Sequence, residues 1–106
     1  MVLGGPFAIL PAGERWKDGT LRPAFGDLVG AGAIAARLQG TPSPEAAAAI
    51  AVFHSVSGRL SDMLTSCASG RELVERDFSD DVRLAADLDA DSVAPELLDG
   101  TFAAER

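Results

Sequence analysis

A short apolar run, Phe7 to Ala12, sets the main condition on how this chain can fold. Its length and the glycine and proline residues around it favour a buried strand over a helix. An interior parallel strand needs neighbours on both sides, yet only Ser92 to Phe102 offers a second strand. That stretch contains Pro95, which suits an edge position, and leads into a turn at Asp99-Gly100. We therefore expect the first strand to pair with a second copy of the chain or with strands of a missing segment.

Helices and one loop account for most of the remaining sequence. Residues Gly13 to Pro23 are polar, charged and contain glycine, which predicts a loop. The spacing of apolar residues and of capping residues predicts helices over Ala24–Gln39, Pro44–Met63, Gly70–Arg76 and Asp80–Leu88. The expected architecture is α/β: a layered α/β/α fragment with few strands and several helices, forming a single domain over residues 1–106. The alternative is a small, mostly helical domain in which the first strand is a loop.

Several helix boundaries carry specific sequence signals. Ser43 can cap the second helix, Pro44 suits its first position, and Glu45 complements the helix dipole. Ser79 is expected to cap the last helix in the same way. Gly58 weakens the long second helix near its middle, because glycine is a poor helix former.

The first predicted helix contains several glycines. Gly26, Gly30 and Gly32 each cost roughly 1 kcal/mol of helix stability relative to alanine. Such a helix is expected where the backbone of another element approaches it closely.

The charge of the chain limits what it can bind. Its formal net charge is −7, so neither nucleic acid nor an anionic membrane surface is an expected partner. A local cationic pocket is still compatible with this charge. To bind a phosphate group, the chain must concentrate several of its nine Lys and Arg residues in one place.

No segment of the sequence points to export or to membrane insertion. Cys67 is the only cysteine, which excludes an internal disulfide. Met1 to Leu10 lacks a cationic region and contains prolines too early for a signal peptide. The apolar stretch Leu28 to Leu38 is too short to span a bilayer. The expected location is cytoplasmic.

The first group of candidate site residues follows the predicted first strand. In open α/β sheets, ligands bind beyond the carboxyl ends of strands. There, Glu14 offers a metal ligand or a general base, Arg15 a planar fork for phosphate oxygens, and Trp16 a wall. Asp18, Arg22 and Asp27 follow closely enough in sequence to reach the same cleft. The alternative is a solvated turn with an ion pair and a half-buried tryptophan.

The second group lies at the start of the third predicted helix. Ser69 and Glu72 have the S-x-x-E spacing of a capping box, in which each side chain satisfies the other's backbone N–H. The free N–H groups at the start of a helix also form an anion site. Arg71 in the first turn is consistent with such a site, because its positive charge is repelled by the positive end of the helix dipole unless an anion compensates it. The two interpretations are compatible, and both stay open.

Read together, these motifs resemble the 2-phosphosulfolactate phosphatase (ComB) family. The similarity extends in order over nearly the whole chain, through Gly13–Trp16, Asp18–Ala24, Asp27–Ile34, Ser43–Ala46, Cys67–Leu73, Asp80–Val82, Pro95 and Asp99-Gly100. It implies a magnesium-dependent hydrolase that converts 2-phospho-3-sulfolactate to sulfolactate and phosphate, a step toward coenzyme M. It also implies a larger, two-part layered α/β fold, of which this sequence is similar to the C-terminal portion.

The resemblance suggests a role for each candidate residue. Glu14, Arg15 and Asp27 are the expected catalytic residues, with Glu14 and Asp27 also holding Mg²⁺. The expected substrate-binding residues are Arg22, Ser69, Gly70 and Arg71. The expected partners are a small phosphorylated substrate and either a second copy of the chain or an N-terminal half.

One position departs from the pattern expected of the family. Gly26 precedes Asp27 where a pair of acidic residues is expected, so one carboxylate is absent. If that position binds metal or orients water, the chain could lack activity. The alternatives to an enzyme are therefore a non-catalytic remnant that still binds the ligand, and an interaction module that docks through its glycine- and alanine-rich helices.

Overall fold

The computed structural model describes residues 5–104. The two ends of the predicted domain lie outside the described residues, namely Met1–Gly4 in the N-terminal segment and Glu105–Arg106 at the C-terminus. The elements in chain order are β1 (Glu14–Arg15), β2 (Leu21–Arg22), α1 (Phe25–Ala35), α2 (Pro44–Val56), a 3₁₀ turn (Ser57–Arg59), α3 (Leu60–Ser66), α4 (Ala68–Glu75), α5 (Ser79–Ala86), β3 (Pro95–Leu98) and β4 (Thr101–Ala104). The mixed α/β class is confirmed, and the strands form two separate antiparallel hairpins, β1–β2 and β3–β4.

Helices α1 and α2 pack closely because α1 has a glycine at their point of contact. A Cβ atom at Gly32 would lie 2.1 Å from the carbonyl oxygen of Ala49 on α2. The close approach predicted from the glycines of α1 is confirmed at this position. A Cβ at Gly30 would have nothing within 4 Å, so Gly30 does not contribute to the contact.

The start of α2 agrees with its sequence signals. The Ser43 hydroxyl accepts a hydrogen bond from the N–H of Ala46 at 3.1 Å, and Pro44 occupies the first turn. The predicted helix to Met63 is interrupted by the 3₁₀ turn, which contains Gly58. Just before and within this turn, Ser55 and Ser57 donate their hydroxyls to backbone carbonyls three residues earlier. Such bonds compete with the helical pattern and bend helices.

The core lies between α1, α2, α3 and α5. Its buried residues are Val29, Phe53, Val56, Leu60, Leu64 and Val82. The small α4 closes tightly on α3, because a Cβ atom at Gly70 would lie 1.7 Å from the Leu64 carbonyl oxygen. The glycine at the start of α4 is thus explained by packing, and it fixes where this helix begins relative to the core.

Three predictions of secondary structure are wrong. The predicted strand Phe7–Ala12 forms no strand and is largely exposed, with Leu10 89% exposed, because no described segment runs beside it to complete its backbone hydrogen bonds. The predicted loop Gly13–Pro23 contains the β1–β2 hairpin instead. Ser79 lies inside α5, and Phe78 takes the capping position without a side-chain bond. Association of the exposed segment with a second copy or an N-terminal half stays a prediction.

The C-terminal prediction holds at its turn. Asp99 and Gly100 have φ values of 49° and 78°, as a two-residue hairpin turn of the primed type requires. The predicted edge strand from Ser92 to Phe102 is therefore split by this turn into β3 and the start of β4, which pair with each other.

Candidate anion-binding site

The start of α4 and the β1–β2 hairpin are joined by a hydrogen bond between Ser69 and Glu14. The Ser69 hydroxyl lies 3.0 Å from each carboxylate oxygen of Glu14 and donates to this carboxylate. Cys67 takes the N-cap position of α4, but its side chain donates to the carbonyl of Leu64 on α3 and does not cap α4, and Ser69 lies within the first turn. The predicted capping box is therefore wrong: Ser69 and Glu72 have the right spacing, but their side chains turn toward the hairpin.

Arg22 occupies the centre of this junction. Its Nη1 donates a 3.0 Å hydrogen bond to Glu72, and its Nε lies 3.3 Å from Glu14. The guanidinium carbon also lies 4.8 Å from the ring centre of Trp16, a distance typical of a cation–π contact. The hydrogen bond to Glu72 raises the pKa of Arg22 and lowers the pKa of the Glu72 carboxyl. Both groups are thus charged at neutral pH, and Ser69 and Glu72 together fix the hairpin against α4.

Two donors of Arg22 are buried without a hydrogen-bond partner. The side chain is only 11% exposed, and neither Nε nor Nη2 makes a hydrogen bond to any residue of the described range 5–104, although Nε is in ionic contact with Glu14. Buried polar groups without a partner are rare in proteins, and a bound water or ion often explains them. Because Nε faces the Glu14 carboxylate, Nη2 is the donor left for a ligand oxygen, and ligand binding must uncover it.

A surface pocket of 570 Å³ opens beside Arg22. It is lined by Arg15, Trp16, Lys17, Asp18, Arg22, Glu72 and Arg76. Four of the nine Lys and Arg residues of this acidic chain therefore meet in one pocket. A phosphate site in so acidic a chain needs such a concentration of cations.

The predicted site residues divide into those at the junction and those away from it. Glu14, Arg22 and Ser69 meet there. Arg15 borders the pocket, while its Nη1 donates to the carbonyl of Gly19 at 2.8 Å and so stabilises the hairpin.

The remaining predicted residues, Asp27, Gly70 and Arg71, do not line the pocket. Asp27 accepts a hydrogen bond from the N–H of Gly13 at 2.9 Å. Gly70 packs against α3. Arg71 is exposed and does not line the pocket, because it follows Ser69 by only two positions, whereas residues three, four or seven apart share a helix face.

Sequence reasoning missed Lys17 and Arg76 in the pocket and assigned Glu72 a different role. Lys17 lies in the hairpin turn, Glu72 follows Ser69 on α4 by three positions, and Arg76, the C-cap of α4, follows it by seven. That spacing places Ser69, Glu72 and Arg76 on one helix face and could have indicated Arg76. Glu72 was noticed only as a capping residue.

The described carboxylates offer few ligands for Mg²⁺. Within residues 5–104, no three His, Cys, Asp or Glu side chains come together in a way that could hold a metal ion. Glu14 and Asp27 supply two carboxylates, and both already accept protein hydrogen bonds. Because Mg²⁺ usually keeps several waters and binds through one or two carboxylates and substrate phosphate oxygens, two carboxylates fit it only in that form.

Comparisons with known proteins add one family. The family model described as 2-phosphosulpholactate phosphatase matches residues 8–100. No curated protein and no solved structure matches the chain significantly. Among the described helices, none has the length and apolar character needed to cross a membrane. The matched range contains every residue of the junction and of the pocket.

Proposed function

Because the chain belongs to the 2-phosphosulpholactate phosphatase family, we propose that it hydrolyses a small phosphate monoester, with 2-phospho-3-sulfolactate as the substrate. The observation that supports this most is the buried Arg22 guanidinium, whose Nε and Nη2 make no hydrogen bond to any described residue. Family membership supports a phosphatase in general. The substrate, the Mg²⁺ requirement and the residue roles are our proposals.

In the proposed reaction, water attacks phosphorus while the P–O bond to the substrate carbon breaks. The alkoxide leaving group takes up a proton, which gives sulfolactate and inorganic phosphate. Arg22 binds the phosphoryl oxygens, and its fixed charge stabilises the transition state more than the ground state. Glu14, next to Arg22 and held by Ser69, orients the attacking water and receives its proton.

Magnesium is the proposed cofactor. When bound, it neutralises phosphoryl charge and activates water, which are the usual contributions of a metal in such reactions. Glu14 and Asp27 are the residues proposed to hold it, with substrate and water supplying the other oxygens. Addition of a chelator should abolish turnover, and added Mg²⁺ should restore it.

The test is phosphate release from 2-phospho-3-sulfolactate by the wild type and by Arg22→Met. Loss of one preorganised donor typically lowers kcat about a hundredfold, and we expect at least that loss here. Arg83→Met is the matched control, because Arg83 is exposed, pairs among the described residues only with Asp80 at an i,i+3 spacing, and does not line the pocket. Circular dichroism must show that each variant is folded. Wild-type turnover in a folded Arg22→Met protein would overturn the proposed role of Arg22.

A second candidate is a protein that binds the phosphate ester without hydrolysing it. Gly26 favours this candidate, since it stands where the family resemblance leads us to expect an acid. A Cβ atom at Gly26 would meet only a Leu64 methyl group at 3.8 Å, an ordinary contact, so packing does not account for the glycine. Ligand-induced stabilisation with no phosphate release from the folded wild type would select this candidate.

A further inference from the structure

Lys17 and Arg76 border the pocket but have no part in the proposed hydrolysis. Arg76 follows Glu72 by four positions and caps the C-terminus of α4, and Lys17 follows Trp16 in the turn of the β1–β2 hairpin. Within residues 5–104 neither side chain forms an ion pair, since the ion pairs of this region join Arg22 to Glu14 and Glu72. Two cations from separate elements thus face one pocket.

The two acids of the pocket are already engaged. Asp18 accepts hydrogen bonds from the hydroxyl and the N–H of Thr20, at 2.6 and 2.9 Å. Glu72 accepts the hydrogen bond from Arg22. The four cations of the lining exceed these two acids by two positive charges. In a chain with a net charge of −7, a local excess of this kind attracts an anion to the pocket.

The pocket and the proposed reacting groups share Arg22 but are otherwise separate. Glu14 and Ser69 do not line the pocket, whereas Trp16, Lys17 and Arg76 do. A phosphoryl group beside Glu14 and Arg22 therefore leaves Lys17 and Arg76 for a different part of the substrate. That part must be anionic and must lie a short distance from the phosphoryl group.

We propose that Lys17 and Arg76 are specificity-determining residues that bind a second acidic group of the substrate, a carboxylate or sulfonate, separate from the phosphoryl group that is transferred. The inference rests on the proposed function, because it assigns the phosphoryl group to Arg22. Through these two residues, the protein binds small phosphate esters that carry an additional acidic group more tightly than phosphate esters that carry none. The ligand-contacting arginine is then Arg76, at the C-cap of α4, in place of Arg71 in the first turn of that helix.

Binding can be measured without turnover, because Trp16 is the only tryptophan and lies in the pocket wall. Its fluorescence is titrated with 2-phospho-3-sulfolactate and with isopropyl phosphate, which keeps the carbon skeleton and the phosphate but lacks both acids. Calcium or a chelator in the buffer prevents Mg²⁺-dependent hydrolysis during the titration. The proteins are the wild type, Lys17→Met, Arg76→Met and the control Arg83→Met.

We expect Lys17→Met and Arg76→Met each to weaken binding of 2-phospho-3-sulfolactate about tenfold or more, the usual effect of losing a charge-assisted hydrogen bond. Binding of isopropyl phosphate should change less than twofold. Equal weakening of both ligands would place these residues at the phosphoryl group and overturn the proposal, as would no weakening of either. Absence of wild-type turnover would count against the proposed hydrolysis, whereas the comparison of the two ligands would still decide the second-acid site.

Discussion

Arg22 and Glu72 are 50 positions apart in sequence, and they form a 3.0 Å hydrogen bond that joins the β1–β2 hairpin to α4. A hairpin with only two paired residues in each strand has little stability by itself. The bond from Arg22 to Glu72 and the bond from Ser69 to Glu14 therefore hold the hairpin, and with it the pocket, in place.

Glu72 should make stability depend on pH in the acid range. The hydrogen bond from Arg22 lowers the pKa of the Glu72 carboxyl from its usual value of 4.5. A carboxyl whose pKa is lower in the folded state stabilises the fold above its unfolded-state pKa, and this contribution is lost as pH falls through the folded-state value. Between pH 6 and pH 3, the Tm of the wild type should therefore fall by more degrees than the Tm of Glu72→Gln. Glu75→Gln, on the same helix, is the control, and parallel curves for wild type and Glu72→Gln would contradict the prediction.

The contact between Ser69 and Glu14 should appear as an energetic coupling. Ser69→Ala removes the donor at 3.0 Å, and a typical hydrogen bond contributes about 1 kcal/mol to the free energy of unfolding. In a double-mutant cycle with Glu14→Ala, which removes the acceptor, the effects of the two substitutions should differ from additivity by about 1 kcal/mol. Urea unfolding measures this coupling. Ser66, whose hydroxyl bonds to its own helix, should show no coupling to Glu14, and strict additivity for Ser69 would rule out the contact.

The packing of α1 on α2 should make two glycines of one helix respond in opposite directions. Gly32→Ala would place a Cβ 2.1 Å from a backbone carbonyl oxygen, which cannot move aside alone, so we expect a loss of about 1–3 kcal/mol or more. At Gly30 a Cβ would meet nothing within 4 Å, and Gly30→Ala should stabilise the helix by about 1 kcal/mol. Chemical denaturation of both variants tests this pair. Equal effects would mean that the two helices do not meet at Gly32.

Local sequence signals predicted the parts of the fold that depend on near neighbours. Ser43 caps α2 through an N–H three residues away, and Asp99-Gly100 forms a hairpin turn through backbone preferences. Phe7–Ala12 failed as a strand because a strand exists only with a paired neighbour, which the segment itself cannot supply. Ser69 and Glu72 illustrate the same limit at the site. Their spacing fits a local capping box. Instead, Ser69 bonds to Glu14, 55 residues earlier, and Glu72 bonds to Arg22, 50 residues earlier, so distant partners replace the local ones.

Restoring an acid at position 26 tests whether the glycine there limits catalysis. Gly26 lies in the first turn of α1 beside Asp27, and its surroundings admit a Cβ without close contact. Gly26→Asp should stabilise the protein, because a non-glycine residue favours the helix and an acid complements its N-terminus. If a carboxylate at this site helps to hold Mg²⁺ or to orient water, the variant should also raise kcat for 2-phospho-3-sulfolactate. A positioned catalytic group typically contributes about a hundredfold or more to the rate, so a gain in kcat of about tenfold or more is expected even if the new carboxylate is imperfectly placed. Gly26→Asn is the matched control, since it has the same shape without the charge. A higher kcat in Gly26→Asp alone supports a catalytic site weakened by the glycine, whereas equal kcat values in both variants would show that the missing carboxylate does not limit the reaction.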